Sequence, residues 1–197
     1  MAIKDNFGNG NGAIGQLMLT GMNWGHSPMA KWAFTQFDVP AEGNIVDIGC
    51  GGGFNIKRLL DKSARGMVYG VDISDVSVEK SKTVNQRHIG KRCEIYKGSA
   101  DRLPFENNFI DLATAFETVY FWKDMKKCFT EIKRVLKSRG KFVIVNDPGD
   151  PNKHWEEMIP DMTSWKPEEL ETYMREAGFI DVQTIKNKFM FGVFGTK

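Results

Sequence analysis

The sequence predicts an α/β protein, a doubly wound and mostly parallel sheet with helices on both faces. Three observations carry this. Short apolar runs alternate with stretches of helical periodicity along most of the chain. The first run, Ile45, Val46 and Ile48, breaks into Gly49, Gly51, Gly52 and Gly53, and Phe54, Ile56, Leu59 and Leu60 then follow at helical spacing. The second run begins at Met67 and ends in an acid, Asp72, 19 residues after Gly53. Strand, glycine turn, helix, and a second strand tipped by an acid make the layout of a nucleotide-binding unit. The glycines let a ligand approach the backbone, and the helix N-terminus offers unpaired N–H groups. The acid stands where ribose hydroxyls can donate to it. Asp72 read alone is equally a helix cap or a solvated turn residue.

The elements follow in order. Residues Met1–Gly25 are rich in glycine and asparagine, with Leu17-Met18-Leu19 between, and predict either a flexible tail or a lid that orders over a ligand. Ser27-Pro28 reads as the N-cap and first residue of a helix carrying Met29, Trp32, Ala33 and Phe37. The first strand spans about Asn44–Ile48 and its helix about Phe54–Ala64. The second strand spans Met67–Asp72, and Ser74 caps a second helix running to about His88. Cys93–Lys97 is the third strand and Phe109–Phe116 the fourth. A helix over about Lys123–Lys137 places Met125, Cys128, Phe129, Ile132, Val135 and Leu136 on one face, and Gly140 ends it. Phe142–Val145 is the fifth strand, tipped by Asn146-Asp147. Asp147–Ser164 is polar and holds Pro148, Pro151 and Pro160, which predicts an irregular insertion over the cleft. Pro167–Ala177 is a helix with Gly178 past its end. Phe179–Ile185 and Phe189–Gly195 are two last strands, turned as a hairpin at Lys186-Asn187-Lys188.

The glycine spacing separates nucleotides. The dinucleotide fingerprint G-x-G-x-x-G has its last glycine three residues after the second. Here the glycines fall at Gly49, Gly51 and Gly53, Phe54 stands where the fingerprint needs glycine, and Asp47 precedes the first glycine by two. The stretch Asp47-Ile48-Gly49-Cys50-Gly51-Gly52-Gly53 resembles the first motif of the class I S-adenosylmethionine-dependent methyltransferases, acid-x-G-x-G-x-G. The resemblance runs from about Asn44 to Asn146, with a looser match beyond. It implies a single Rossmann-like domain, 1–197, with seven strands of which only the last is antiparallel. It implies that Asp47, Gly49, Cys50, Gly51, Gly53, Asp72 and Ile73 hold S-adenosyl-L-methionine, which leaves as S-adenosyl-L-homocysteine. Ser99, Ala100 and Asp101 would then meet the adenine, and Leu103-Pro104-Phe105 after them is typical of one small-molecule branch of the family. Glu117 would also contact the cofactor, beside the reacting methyl.

Composition limits the partners. With 27 basic and 25 acidic residues, the net charge is +2, and no basic stripe marks a nucleic-acid surface. No apolar run approaches the ~20 residues of a membrane span. The three cysteines, Cys50, Cys93 and Cys128, form no C-x-x-C pair, and they are expected to be reduced in a cytoplasmic protein. Cys50 reads as a small loop side chain.

Methyl transfer from a sulfonium is an in-line displacement with a good leaving group. The protein mainly aligns the partners and excludes water, and a base is needed only for a weakly acidic acceptor. His26, Glu117, His154 and Tyr120 are the candidates for a base, with His26 first because it stands before a helix among Trp24 and Trp32. The segment after the fourth strand reads Glu117-Thr118-Val119-Tyr120, not the Asn/Asp-Pro-Pro-Tyr of the family's nucleobase and amide N-methylating branches. Trp24, Trp32, Tyr120, Phe121, Trp122 and Trp155 are available to wall a small apolar pocket. The expectation is a small-molecule methyltransferase, similar to the branch acting on quinone precursors and sterols. A non-catalytic module that keeps the cofactor pocket and a nicotinamide oxidoreductase are the alternatives.

Overall fold

The computed structural model describes residues 27–147 and 161–197. Helix α1 spans Ser27–Ala33. Strand β1 (Asn44–Ile48) leads into α2 (Phe54–Lys62), and β2 (Met67–Asp72) into α3 (Asp75–Val84). Strands β3 (Cys93–Lys97) and β4 (Ile110–Phe116) follow, then a 3-10 turn at Val119–Phe121. Helix α4 is Met125–Val135, β5 is Leu136–Asn146, and α5 is Pro167–Glu176. Strands β6 (Ile180–Lys186) and β7 (Phe191–Thr196) close the chain.

The seven strands form one sheet in the order β3-β2-β1-β4-β5-β7-β6. All neighbours are parallel except β7, which lies between β5 and β6 and runs antiparallel to both. This is the fold expected from the sequence. The order reverses between β1 and β4, the place where open α/β sheets leave a crevice at their carboxyl ends.

Residues alternate between the two faces, as the pleat requires. On β4, Leu112 and Phe116 belong to a core built with Met29, Phe34, Ile56, Leu59 and Val78 of α1, α2 and α3. Ala113 and Ala115 belong to the opposite core, with Phe129, Ile132, Leu170 and Met174 of α4 and α5. Trp122 joins that second core, its ring stacked on Phe142 at 6.4 Å and edge-on to Phe129 at 6.2 Å. It is packing, not a pocket wall.

The caps explain most boundaries. The Ser74 hydroxyl accepts from Ser77 N–H at the head of α3, and the Asp124 carboxylate from Lys127 N–H at the head of α4. Glu169 accepts from Lys166 N–H at 2.8 Å to start α5. At the hairpin, the Asn187 side chain accepts from Phe189 and Met190 N–H.

The largest departure is at α4 and β5. The helix ends at Val135, and Leu136, with φ −67° and ψ 142°, already pairs with Ile110. Pairing then resumes at Leu112 with Lys141, so 137–140 form a bulge, with Arg139 at φ 65°. Apolar Leu136 continues the helical stripe, but burial against β4 rewards the extended form. Among the described residues, no helix is long and apolar enough to cross a membrane. Of the expected insertion over 147–164, residues 148–160 lie outside the described residues, as does the N-terminal segment 1–25.

Candidate active site

The carboxyl ends of β1, β2 and β4 lie side by side, and the glycine turn after β1 is tied to β2. Gly49 and Cys50 both donate their N–H groups to the Val71 carbonyl, at 2.7 and 3.1 Å. The glycines of the turn do different work. A Cβ at Gly49 would fall 2.6 Å from Cβ of Thr118, so this glycine lets the segment after β4 press on the loop. A Cβ at Gly53 would meet Asn85 Nδ2 at 2.6 Å and the Ser81 backbone at 2.8 Å, so Gly53 permits the close crossing of α2 and α3. The Asn85 amide also donates to the Gly53 carbonyl at 2.9 Å. Gly51 is different. It is left-handed, with φ 50°, and among the described residues a Cβ there meets nothing within 4 Å. Gly51 therefore forms an open shelf, where backbone faces space without side chain.

Asp72 forms the wall beside that shelf. Its Oδ2 accepts from Gly51 N–H at 2.8 Å and its Oδ1 from Ser74 N–H at 2.9 Å. Burial raises its pKa, and the N–H donors of Ser74 and Gly51 oppose the rise. It thus holds the loop and the head of α3 in place, with the Ser77 side chain and the Ile73 N–H as further donors. Ile73, the next residue, is 61% exposed, an apolar side chain standing at the rim.

Asp47 lies deeper. It is 1% exposed, and its Oδ1 accepts from the Thr114 hydroxyl at 2.7 Å, across the register pair that joins β1 to β4. Burial pushes its pKa up to about 7; the Thr114 bond opposes this and the charge of Asp72 adds to it. Cys50 turns its thiol inward, toward the space left by Gly70. Burial first, then the charges of Asp72 and Asp47, push the thiol pKa well up, so it stays protonated and is no nucleophile.

Next to β2, past the end of β3, Gly98 N–H donates to the Asp72 carbonyl, Ala100 is buried and Arg102 N–H donates to the Ser99 carbonyl. The Asp101 carboxylate pairs with Lys127 Nζ at 2.8 Å, and that bond is the first cause holding its pKa low.

The far wall is the end of β4. Glu117 adopts φ 53°, a left-handed conformation that costs a non-glycine residue about 1 kcal/mol or more. Its Oε1 accepts from Asp147 N–H at 2.6 Å and from the Tyr120 hydroxyl at 3.0 Å. Burial pushes Glu117 up to about 7, against the Asp147 N–H bond. The Tyr120 hydroxyl oxygen also lies 3.1 Å from the Asp147 carbonyl oxygen, so its single proton has two acceptors to choose between. Thr163 N–H donates to the Tyr120 carbonyl, so the returning chain is pinned to the same turn.

Three participants escape sequence reasoning. Thr114 is found only through its register with Asp47, and Thr118 only through its contact with Gly49. Asn146, at the tip of β5, is fully buried, and among the described residues neither its Oδ1 nor its Nδ2 has a hydrogen-bond partner. An orphaned amide of this kind calls for an explanation. Of the other candidates, His26, Trp24, His154 and Trp155 lie outside the described residues.

The donor set fits an adenosyl amino acid. An open glycine shelf, an acid beside it at the end of β2 and an apolar rim are present, while two acids beside the shelf disfavour a pyrophosphate. The comparisons agree. The family model described as "Methyltransferase domain" matches residues 46–144. The methyltransferase YdaC of Bacillus subtilis is 23% identical over 77% of this chain and 80% of its own length. The 2-methyl-6-phytyl-1,4-hydroquinone methyltransferase of Arabidopsis thaliana is 30% identical over 71% of this chain, which spans only 40% of that protein. Among solved structures, an S-adenosylmethionine-dependent methyltransferase from Aquifex aeolicus shares the fold. It has a TM-score of 0.71 and 20% identity, over 85% of this chain and 88% of that one. A family model that covers the glycine turn, the acid after β2 and the end of β4 leaves one assignment: the chain belongs to the class I S-adenosylmethionine-dependent methyltransferases, and S-adenosylmethionine is its methyl donor.

Proposed function

We propose that this enzyme methylates a small, apolar acceptor by in-line transfer. Support comes from relatives whose names state such acceptors, the plant hydroquinone enzyme above and a Caenorhabditis elegans sterol 4-C-methyltransferase, 30% identical over 56% of this chain. This chain spans 34% of that sterol enzyme. The observation that carries the reading is the open shelf at Gly51, flanked by Asp72 and Ile73.

In this reading Gly49–Gly51 cradle the cofactor's amino-acid tail and Asp72 accepts from the ribose hydroxyls. Ile73 lies against the adenine, and the backbone of Ser99–Asp101 meets its edge, since the Asp101 carboxylate is already paired with Lys127. Gly53 and Cys50 shape the turn from behind, and Asp47 sets its charge from below. Glu117 closes the site on the acceptor side through Tyr120 and Asp147. The unpartnered amide of Asn146 is suited to a polar group of the acceptor. His26 is the proposed base, and segment 1–25 the lid. When bound, the cofactor supplies an electrophilic methyl on a good leaving group. The protein's own part is to align the acceptor and keep water out.

The test is turnover with methyl-labelled donor and a panel of hydroquinones, sterols, phenols and small amines. Label appearing in an extractable small product is the expected result. Label appearing only in added RNA or protein would overturn the reading.

A further inference from the structure

The floor of the proposed cofactor site is acidic, and among the described residues no cation balances it. Asp47 sits at the end of β1 and Asp72 at the end of the neighbouring β2, both on the face covered by α1, α2 and α3. Asp47 receives one neutral hydrogen bond, from Thr114. Asp72 receives neutral ones, from the N–H groups of Gly51 and Ser74. Among the described residues, no Lys or Arg pairs with either carboxylate or favours its charged form. The donor and its demethylated product share adenosine and amino acid but differ in charge. The donor carries a sulfonium cation, and the product a neutral thioether.

We propose that Asp47 is a charge-selecting residue: its buried, cation-free carboxylate makes the site prefer the sulfonium donor over the thioether product. The inference rests on the reading that this edge holds the cofactor. A fixed negative charge in a poorly screened interior attracts a cation over several ångströms, and contributes little to a neutral sulfur. Selectivity is the difference between those two terms. If Asp47 served only to pin β1 to β4 through Thr114, an uncharged isostere would serve equally.

The charge is also titratable. Burial brings Asp47 up to about 7, the Thr114 bond working against that and Asp72 with it. The groups facing Asp47 are Thr114 from β4, Asp72 from β2 and the Cys50 thiol from the loop, the last kept protonated by its own burial. The carboxylate is therefore ionised above neutrality, where selectivity is present, and protonated below it, where selectivity fades.

The experiment is calorimetric or dialysis binding of S-adenosylmethionine and S-adenosylhomocysteine to the full chain, between about pH 6 and about pH 8.5. The ratio of product Kd to donor Kd should rise by roughly five- to tenfold across this range, about one pKa unit of differential interaction. In Asp47→Asn, whose amide oxygen still accepts from Thr114, most of that rise should vanish. The loss should fall on the donor, leaving product affinity within about twofold. The ligands' own titrations are common to both proteins, so the difference belongs to Asp47 and its charge coupling to Asp72. Thr114→Val removes a bond that favours the ionised form, and should move the midpoint to higher pH. A wild-type ratio that is flat with pH overturns the proposal, as does an Asp47→Asn profile superimposable on wild type. If Asp47→Asn does not fold, an unmoved midpoint in Thr114→Val overturns it. Failure of both ligands to bind wild type would instead sink the cofactor reading beneath it.

Discussion

Asp72 and Asp101 flank the same edge of the sheet, and their surroundings oppose each other. Asp72 is buried, holds the glycine turn and α3 through N–H donors, and has its pKa raised by burial. Asp101 has a side chain 32% exposed, pairs with Lys127 and has its pKa lowered by that pairing. The first is an acid whose charge is costly to bury and is met, among the described residues, by neutral hydrogen-bond donors and no cation. The second is an acid whose charge is already satisfied at the surface, where such pairs contribute little. In the proposed site the labour is thus divided: the ends of β1 and β2 supply directed polar contacts, and the connection after β3 supplies shape.

The strongest way to break that division is at Gly51. Gly51→Val would put a branched side chain on the open shelf, and donor binding should become unmeasurable by calorimetry. Valine at φ 50° also costs roughly 1–3 kcal/mol of strain, so Tm should fall by several degrees while the protein stays folded. Gly53→Ala, two residues on, should act the other way round. Its Cβ meets Ser81 and Asn85, not ligand space, so stability should suffer first. Retained affinity in a folded Gly51→Val would remove the shelf from the site.

Asp72→Ala comes next. Donor affinity should fall by roughly 1.5–3 kcal/mol, the range for hydrogen bonds to a charged group. The loss should appear in KM with kcat nearly unchanged, since ribose contacts are alike in ground and transition states. Tm should drop as well, because Gly51 and Ser74 lose their acceptor. A fall in kcat at unchanged KM would show that Asp72 serves the chemistry and not the grip.

The third test uses the opposite pKa directions. Asp47 and Glu117 are raised to about 7 in the folded chain, so between about pH 4 and pH 7 the folded state holds more protons than the unfolded one. Stability from these groups therefore falls as pH rises through that window. Tm of the free protein should drop by a few degrees from about pH 5.5 to about pH 8, and Asp47→Asn or Glu117→Gln should flatten the slope. A slope equally steep in both variants would assign it to other groups.

Much of this was legible because it is local. The glycine spacing and the acid after β2 lie within one βαβ unit, and the caps at Ser74 and Lys166 lie within single turns. What escaped depends on contacts between distant segments. Leu136 carries helical periodicity but becomes strand because Ile110 is there to pair with it. Thr114 reaches Asp47 only through the β1–β4 register, and Thr118 reaches Gly49 only because Glu117 turns left-handed before it. The aromatic pattern misled for a related reason. Trp122 looks the same in sequence whether it walls a pocket or, as here, stacks on Phe142 in the core.

The smallest expected effect is at Asp101, and its smallness is what matters. Its partner Lys127 is exposed, and the pair is open to salt screening. Because the folded pKa of Asp101 is lowered, its stabilisation is present above the unfolded carboxylate range and is lost only as pH falls through the lower folded value. That window lies well below the one used by Asp47 and Glu117, so the two regions separate on acidification. For binding, Asp101→Asn should change donor affinity by no more than about threefold at physiological salt, in keeping with a surface pair. Lys127→Ala should do no more than that, and both effects should shrink further at high salt. A loss beyond about tenfold in Asp101→Asn that survives high salt would be the signature of a desolvated, charge-assisted hydrogen bond. In that case the carboxylate itself reads the adenine. Lys127 would then be a competitor displaced by the cofactor, and Lys127→Ala should tighten binding where Asp101→Asn weakens it.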